Sequence, residues 1–154
     1  MTLLFLQQPA YTQETIEDRV EDAIDNYYYG EFTVEGDGEG NVKIEGSVET
    51  LYDKYKVFDL ASTVPGVRTI TNNIVVNTPV LPDNIIENNI RDEMKLVSSI
   101  PEPDRISVEV TNGIVFLEGT TSSLWAKRNI VERFSGVLGV REIDSNLDVE
   151  SIEY

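Results

Sequence analysis

The stretch PGVRTITNNIVV (65–76) occurs a second time, with changes, as LGVREIDSNLDV (138–149). Aligned at an offset of 73, residues 40–77 and 113–150 are identical at 14 of 38 positions without a gap. Identity at this level indicates an internal duplication. The 154-residue chain therefore contains two copies of one small unit, separated by the proline-containing segment NTPVLPDN (77–84).

Composition restricts the classes of function. The chain has no Cys and no His, so it lacks disulfides, thiolate ligands, Cys nucleophiles and the commonest general base. The formal net charge is −16, which repels nucleic acid, and we expect no nucleic-acid partner. Apolar residues make up 40 % of the chain, enough for a packed core, and no run approaches the roughly 18 apolar residues of a membrane span.

The same order of periodic patterns occurs in both copies. A first helix is predicted by apolar residues that recur every four positions, namely Ile16, Val20 and Ile24, then Ile86, Ile90 and Met94. Alternating apolar residues around Asn112 and Gly113 predict a hairpin with a tight type I′ turn. A second helix is predicted over 51–63 and 124–136, with Thr50 and Ser123 as N-caps. A last strand is predicted over 67–76 and 140–149.

These patterns predict an α+β protein with two tandem α-β-β-α-β domains, each a three-stranded sheet covered by two helices. The predicted domains are residues 15–78 and 84–151, joined by a linker at 79–83. Residues 1–14 are either an N-terminal arm or the remnant of a signal peptide. Glycines at equivalent positions of the two copies are predicted to be structural: Gly40, Gly46, Gly66, Gly113, Gly119 and Gly139.

In its order of elements each copy resembles the BON domain, named for bacterial osmotically induced periplasmic proteins and nodulation proteins. The matching stretches are NVKIEGSVET, ASTVPGVRTITNNIVV, GIVFLEGTTSS and FSGVLGVREIDSNLDV. The resemblance implies a non-enzymatic module without a cofactor, periplasmic or otherwise associated with the bacterial envelope. It further implies a role in osmotic or envelope stress and an association with phospholipid surfaces.

The starts of the two second helices are the best candidate contact surfaces. LYDKYK (51–56) and LWAKRN (124–129) place an aromatic residue beside bases, a combination that suits a lipid interface or a partner groove. The predicted contact residues are Leu124, Trp125, Lys127 and Arg128, with Leu51, Tyr52 and Lys54. The favoured interpretation, however, is that Leu124 and Trp125 form a half-buried edge of the core and that the bases are solvated. The second copy is also the less acidic, with a net charge of −5 over 84–151 against −8 over 15–78.

Three other motifs are interpreted as structural. The acidic, glycine-rich loop EGDGEGN (35–41) offers oxygen ligands for Ca²⁺, but a solvated hairpin tip is the favoured interpretation. The acids on the first helix are expected to form its solvent face. The tyrosines at 27–29 are expected to pack, as a seam between the copies, rather than to form a contact surface. No catalytic or metal site is predicted.

Two hypotheses of function follow. The first is a binding module of the envelope that associates with a phospholipid surface or an envelope partner, with divalent cations bridging the acidic protein to anionic lipid. The second is a structural module that assembles with itself or with an envelope complex through exposed sheet edges.

Overall fold

The structure is a computed structural model, and it describes residues 14–96 and 105–150. The predicted N-terminal arm, apart from Glu14, lies outside the described residues. The elements of the first domain are α1 (Ile16–Asp25), β1 (Thr33–Gly36), β2 (Asn41–Val48), α2 (Leu51–Ser62) and β3 (Thr69–Val76). Those of the second are α3 (Asp83–Leu96), β4 (Ile106–Thr111), β5 (Ile114–Thr121), α4 (Leu124–Ser135) and β6 (Glu142–Val149). The predicted order α-β-β-α-β is confirmed in both copies.

Each domain has a three-stranded sheet, with strand orders β1-β2-β3 and β4-β5-β6. The first two strands of each sheet are antiparallel, and the third lies parallel to the second. A parallel pair needs a crossover, which α2 and α4 supply. Because side chains alternate along a strand, one face of each sheet is apolar and is covered by the two helices of its domain.

Side-chain caps fix where the helices begin. Thr15 and Thr50 each form a capping box, in which the threonine hydroxyl accepts from the third residue of the helix and that residue's aspartate accepts from the threonine N–H. Ser123 caps α4 by accepting a hydrogen bond from the N–H of Ala126 at 3.1 Å. The predicted Asn-Gly turn is also observed, since Asn112 and Gly113 have φ of 53° and 76°. The six glycines predicted to be structural all have positive φ.

The apolar side chains form two cores. The first contains residues from α1, α2 and the first sheet, and the second contains residues from α3, α4 and the second sheet. Leu51 of α2 belongs to the second core, although it lies in the first domain. Val76, at the end of β3, packs against both cores. The two cores are therefore joined at the start of α2 and the end of β3.

Polar contacts add to the junction between the domains. Helix α2 lies against α4, and Lys56 Nζ forms an ion pair with Glu132 Oε1 at 2.9 Å. The segment between the domains is fixed to the second one, because Thr78 Oγ1 accepts a hydrogen bond from the N–H of Gly139 at 2.8 Å. Asp83, at the start of α3, accepts hydrogen bonds from the backbone of Asn112 and Gly113.

The packing corrects the interpretation of the three tyrosines. Tyr27 and Tyr29 are exposed and do not form a seam between the copies. Tyr28 packs against the first core, with its ring edge-on to Phe32. The reason is that the domains meet at α2 and α4, whereas these tyrosines follow α1.

Candidate functional site

The largest exposed apolar feature among the predicted contact residues lies at the start of α4. Leu124 and Trp125 are 75 % and 68 % exposed. Their exposure follows from the helical period, because the buried face of α4 is set by Ala126, Ile130 and Phe134. The favoured interpretation of Leu124 and Trp125 as a half-buried core edge is therefore wrong.

Two bases flank this exposed pair. Lys127 is half-buried, and its Nζ donates a hydrogen bond to the carbonyl oxygen of Leu147 at 2.7 Å. Arg128 is exposed, and no carboxylate of the described residues lies within 4 Å of its guanidinium. We call Leu124, Trp125, Lys127 and Arg128 the α4 patch. It combines exposed apolar area with positive charge in an otherwise acidic chain.

The equivalent residues of the first copy are placed differently. Leu51 is only 4 % exposed, so its prediction as a surface contact is wrong, since packing against the second core buries it. Tyr52 is half-buried, with Lys56 Nζ 5.1 Å from its ring centroid, a cation–π contact. Lys54 is also half-buried, and its carbonyl oxygen accepts a hydrogen bond from Asn72. The start of α2 is therefore mostly covered where the start of α4 is open.

A groove of about 590 Å³, which we call the interdomain groove, runs along the contact between α2 and α4. It is lined by Tyr52, Tyr55, Lys56 and Asp59 of α2, by Leu124, Lys127, Arg128, Val131 and Glu132 of α4, and by Ser145 of β6. The structure thus brings four predicted contact residues together, Tyr52, Leu124, Lys127 and Arg128. Trp125 instead lines an adjoining depression with Arg128, Asn129 and Glu132, and Arg128 and Glu132 line the groove as well.

Sequence analysis missed six residues of the groove: Tyr55, Lys56, Asp59, Val131, Glu132 and Ser145. One signal pointed to Ser145, because it is a polar residue at an inward position of its strand, between Ile143 and Leu147. The other five are ordinary helix-surface residues, and only the packing of α2 beside α4 brings them to one groove.

Ionisation in the groove is set by burial and by the ion pair. Burial, and to a lesser extent the charge of Glu142, raises the pKa of Tyr55, so its hydroxyl stays neutral. The hydrogen bond to Glu132 raises the pKa of Lys56, which keeps that ammonium charged. Outside the groove, burial and the nearby Asp53 raise the pKa of Tyr28 to about 12.

The loop at 35–41 is organised by its own hydrogen bonds. The carboxylate of Asp37 accepts from the N–H groups of Glu39 and Asn41 and from the side-chain amide of Asn41. These bonds, led by that of the Asn41 side chain, lower the pKa of Asp37. Within 14–96 and 105–150, no cluster of three or more acidic, His or Cys residues is arranged as a metal site. Over the same residues, no helix has both the length and the apolar character to cross a membrane.

Comparison with protein families agrees with the duplicated architecture. The BON domain model matches residues 12–78 and again residues 82–151. The chain belongs to the BON domain family. No curated protein sequence matches this BON protein significantly.

Solved structures with some similarity include CdsD, a structural protein of the type III secretion system of Chlamydia trachomatis. It is 11 % identical, covers 88 % of this chain and 92 % of its own, and has a TM-score of 0.41. The periplasmic domain of the type III secretion inner-membrane protein PrgH from S. typhimurium is 14 % identical. It covers 88 % of this chain and 77 % of its own, with a TM-score of 0.29.

Proposed function

We propose that this tandem BON protein is a non-catalytic binding module of the bacterial envelope that associates with phospholipid surfaces through the α4 patch. The observation that carries the proposal is the exposure of Leu124 and Trp125 side by side at one helix end. A Trp with flanking bases is suited to a membrane interface, where the ring enters the headgroup region and the bases stay in water.

The strength of such binding can be estimated from the buried apolar area. Transfer of one large apolar side chain from water is worth about 1.5–3 kcal/mol, so Leu124 and Trp125 together supply roughly 3–6 kcal/mol. A free energy of about 4 kcal/mol corresponds to a dissociation constant near 1 mM. We therefore expect weak, reversible association, as fits a protein that responds to stress in the envelope.

Charge determines which membranes are bound. The net charge of −16 opposes approach to anionic lipid, and screening at ordinary salt removes only the long-range part of that repulsion. Ca²⁺ or Mg²⁺ would bridge the acidic surface to anionic headgroups. We expect the second domain to face the membrane, since it carries the patch and the smaller net charge.

Composition supports a non-catalytic role. Without His or Cys, acid–base or nucleophilic chemistry would depend on carboxylates, Lys, Tyr, Ser or Thr alone.

Co-sedimentation with vesicles tests the proposal. Neutral phosphatidylcholine and anionic phosphatidylglycerol vesicles are each used with and without Ca²⁺ or Mg²⁺. We expect the protein to pellet with anionic vesicles when a divalent cation is present, and Trp125→Ala to reduce the bound fraction severalfold. The matched control is Tyr27→Ala, which removes an aromatic side chain that is 71 % exposed in the first domain. Equal binding of Trp125→Ala and wild type would refute the role of the patch.

The second candidate function is assembly through sheet edges. Strands β3 and β6 are edge strands of eight residues each, and within the described residues neither pairs with another strand on its outer side. Unpaired edges are templates for strand addition. Light scattering measures the molar mass of the protein in solution at increasing concentration. A molar mass that rises with concentration, in a protein that does not bind vesicles, would favour this function over the first.

A further inference from the structure

The interdomain groove has the size and position of a ligand site. Small-molecule sites enclose about 300–1,000 Å³ and often lie where two domains meet. The groove is about 590 Å³ and is bounded by α2 of one domain and α4 of the other. Three residues of the α4 patch, Leu124, Lys127 and Arg128, line the groove and Trp125 does not, so Trp125 is the patch residue that distinguishes the proposed membrane contact from the groove.

Hydrogen-bonding groups in the groove are left unused. The hydroxyl oxygen of Ser145 is inaccessible to solvent and has no hydrogen-bond partner in the described part of the protein. An ammonium has three donors, and Lys127 uses one of them on Leu147. Arg128 has five donors, and among residues 14–96 and 105–150 no acceptor takes any of them. The free groups on the α4 side are thus mainly donors, which favours a ligand rich in acceptors.

The charges of the groove favour an anion. Lys56 and Glu132 neutralise each other across it. The remaining charged lining residues are Lys127 and Arg128 on α4 and Asp59 on α2, a net charge of +1. This small positive excess stands out in a chain of net charge −16.

The apolar lining of the groove favours a ligand with an apolar part over a small hydrated anion. Tyr52 and Tyr55 of α2 face Leu124 and Val131 of α4, so much of the lining is aromatic or aliphatic. An ion with a full hydration shell gains nothing from such walls, whereas a hydrocarbon chain is removed from water along them. A ligand that uses both parts of the groove needs an anionic head and an apolar body.

We propose that the interdomain groove binds a single-chain anionic amphiphile. Its carboxylate or phosphate lies at Lys127 and Arg128, and its hydrocarbon chain runs along Tyr52, Leu124 and Val131. The shared chemistry is an acidic headgroup on one alkyl chain, whether the molecule is free in solution or drawn from a bilayer.

Calorimetric titration of the full chain with laurate and with dodecyl phosphate, both below their micellar concentrations, tests the site. Ser145→Leu puts a larger side chain into the lining of the groove and should weaken laurate binding about tenfold, a change of about 1.4 kcal/mol. The matched control is Asn146→Leu, the same new side chain one residue along, on the opposite face of the strand. It should change the affinity less than about twofold.

Further titrations test the headgroup. Arg128→Gln should weaken laurate about tenfold but leave the binding of neutral dodecyl maltoside unchanged. Absence of heat with both laurate and dodecyl phosphate would overturn the proposal. Equal losses in Ser145→Leu and Asn146→Leu would overturn its location. Dodecyl maltoside binding as tightly as laurate would overturn the anionic head.

Vesicle binding separates this site from the proposed membrane contact. Trp125→Ala should reduce vesicle binding severalfold and keep laurate binding, whereas Ser145→Leu should weaken laurate binding and keep vesicle binding. A free amphiphile as source predicts that laurate binds without vesicles. If instead the acyl chains of a bilayer fill the groove, Ser145→Leu should also weaken vesicle binding, and dissolved laurate should compete with vesicles.

Discussion

The two domains have the same order of elements, yet equivalent residues at the starts of α2 and α4 meet different surroundings. Leu51 is 4 % exposed, and Leu124, which is 73 residues later and identical in type, is 75 % exposed. The first is covered because the second domain packs against it, whereas within residues 14–96 and 105–150 nothing covers Leu124 in the same way. The same apolar position is therefore covered in the first copy and open in the second.

The two cores differ at several equivalent positions, and Ala61 and Phe134 differ greatly in size. Phe134 of α4 and Ala61 of α2 are both fully buried. A phenyl ring and a methyl group at the same place in the same fold mean that each core is filled by its own combination of side chains, since close packing leaves little free volume.

The largest loss of stability is expected when Phe134 is replaced by the alanine found at the equivalent position of the first copy. Phe134→Ala, which gives the second copy the residue of the first, should lower the free energy of unfolding by about 3–5 kcal/mol. The physical reason is the cavity left by the ring. Chemical denaturation measures the loss, with Phe134→Leu as a milder control. A loss below about 1 kcal/mol would show that the cores are interchangeable at this position.

Because Leu51 is buried and Leu124 is exposed, replacing each by Ala should lower the stability of the fold by different amounts. Leu51→Ala should destabilise the protein by about 2–4 kcal/mol, because it empties a site shared with the second core. Leu124→Ala should change stability by less than about 0.5 kcal/mol. Thermal or denaturant unfolding of the two variants is the measurement. Equal costs would contradict the asymmetric junction between the domains.

A pair of equivalent glycines sharpens the comparison further. A Cβ at Gly119, where φ is +139°, would overlap the backbone carbonyl of Arg105. At Gly46 the nearest atom is Cδ1 of the Phe32 ring at 2.7 Å, and a side chain can move. We expect Gly119→Ala to cost about 3 kcal/mol and Gly46→Ala about 1–2 kcal/mol. A larger loss for Gly46→Ala would contradict this order.

The smallest expected effect is a change of stability at low pH through Asp18. The N–H of Thr15, and secondarily its hydroxyl, hold the pKa of Asp18 below its ordinary value. A carboxyl with a lowered pKa stabilises the fold above its unfolded pKa and loses that contribution as pH falls through its folded pKa. The stability advantage of wild type over Asp18→Asn should therefore shrink below about pH 4. Denaturant unfolding between pH 7 and pH 2.5 measures this, and an advantage that does not change with pH would refute it.

Sequence periodicity predicted the elements because each local signal agrees with the fold. Caps at Thr15, Thr50 and Ser123, alternation along the strands and the Asn112-Gly113 turn each act within a few residues. The contact between the domains was not predictable in this way, because it joins residues distant in the sequence. Leu51 was misplaced for that reason.

The same limit explains what was found and missed at the candidate site. The α4 patch was predictable, because an aromatic residue beside bases is a local pattern. The interdomain groove depends on the packing of α2 beside α4, so Tyr55, Asp59 and Val131 gave no signal. Ser145 did give a local signal, because it is a polar residue at an inward position of its strand. Its place in the groove, however, depends on α2 of the other domain.

The emission of Trp125 in the presence of vesicles tests the central claim most directly, since it is the only Trp of the chain. With anionic vesicles and Ca²⁺, the proposed contact predicts a shift to shorter wavelength and protection from acrylamide quenching. The matched variant Tyr52→Ala should show the same shift, because the start of α2 is not part of the contact. The account would be contradicted if the protein pelleted with vesicles while the emission maximum of Trp125 did not shift and acrylamide quenched it as fully as in solution.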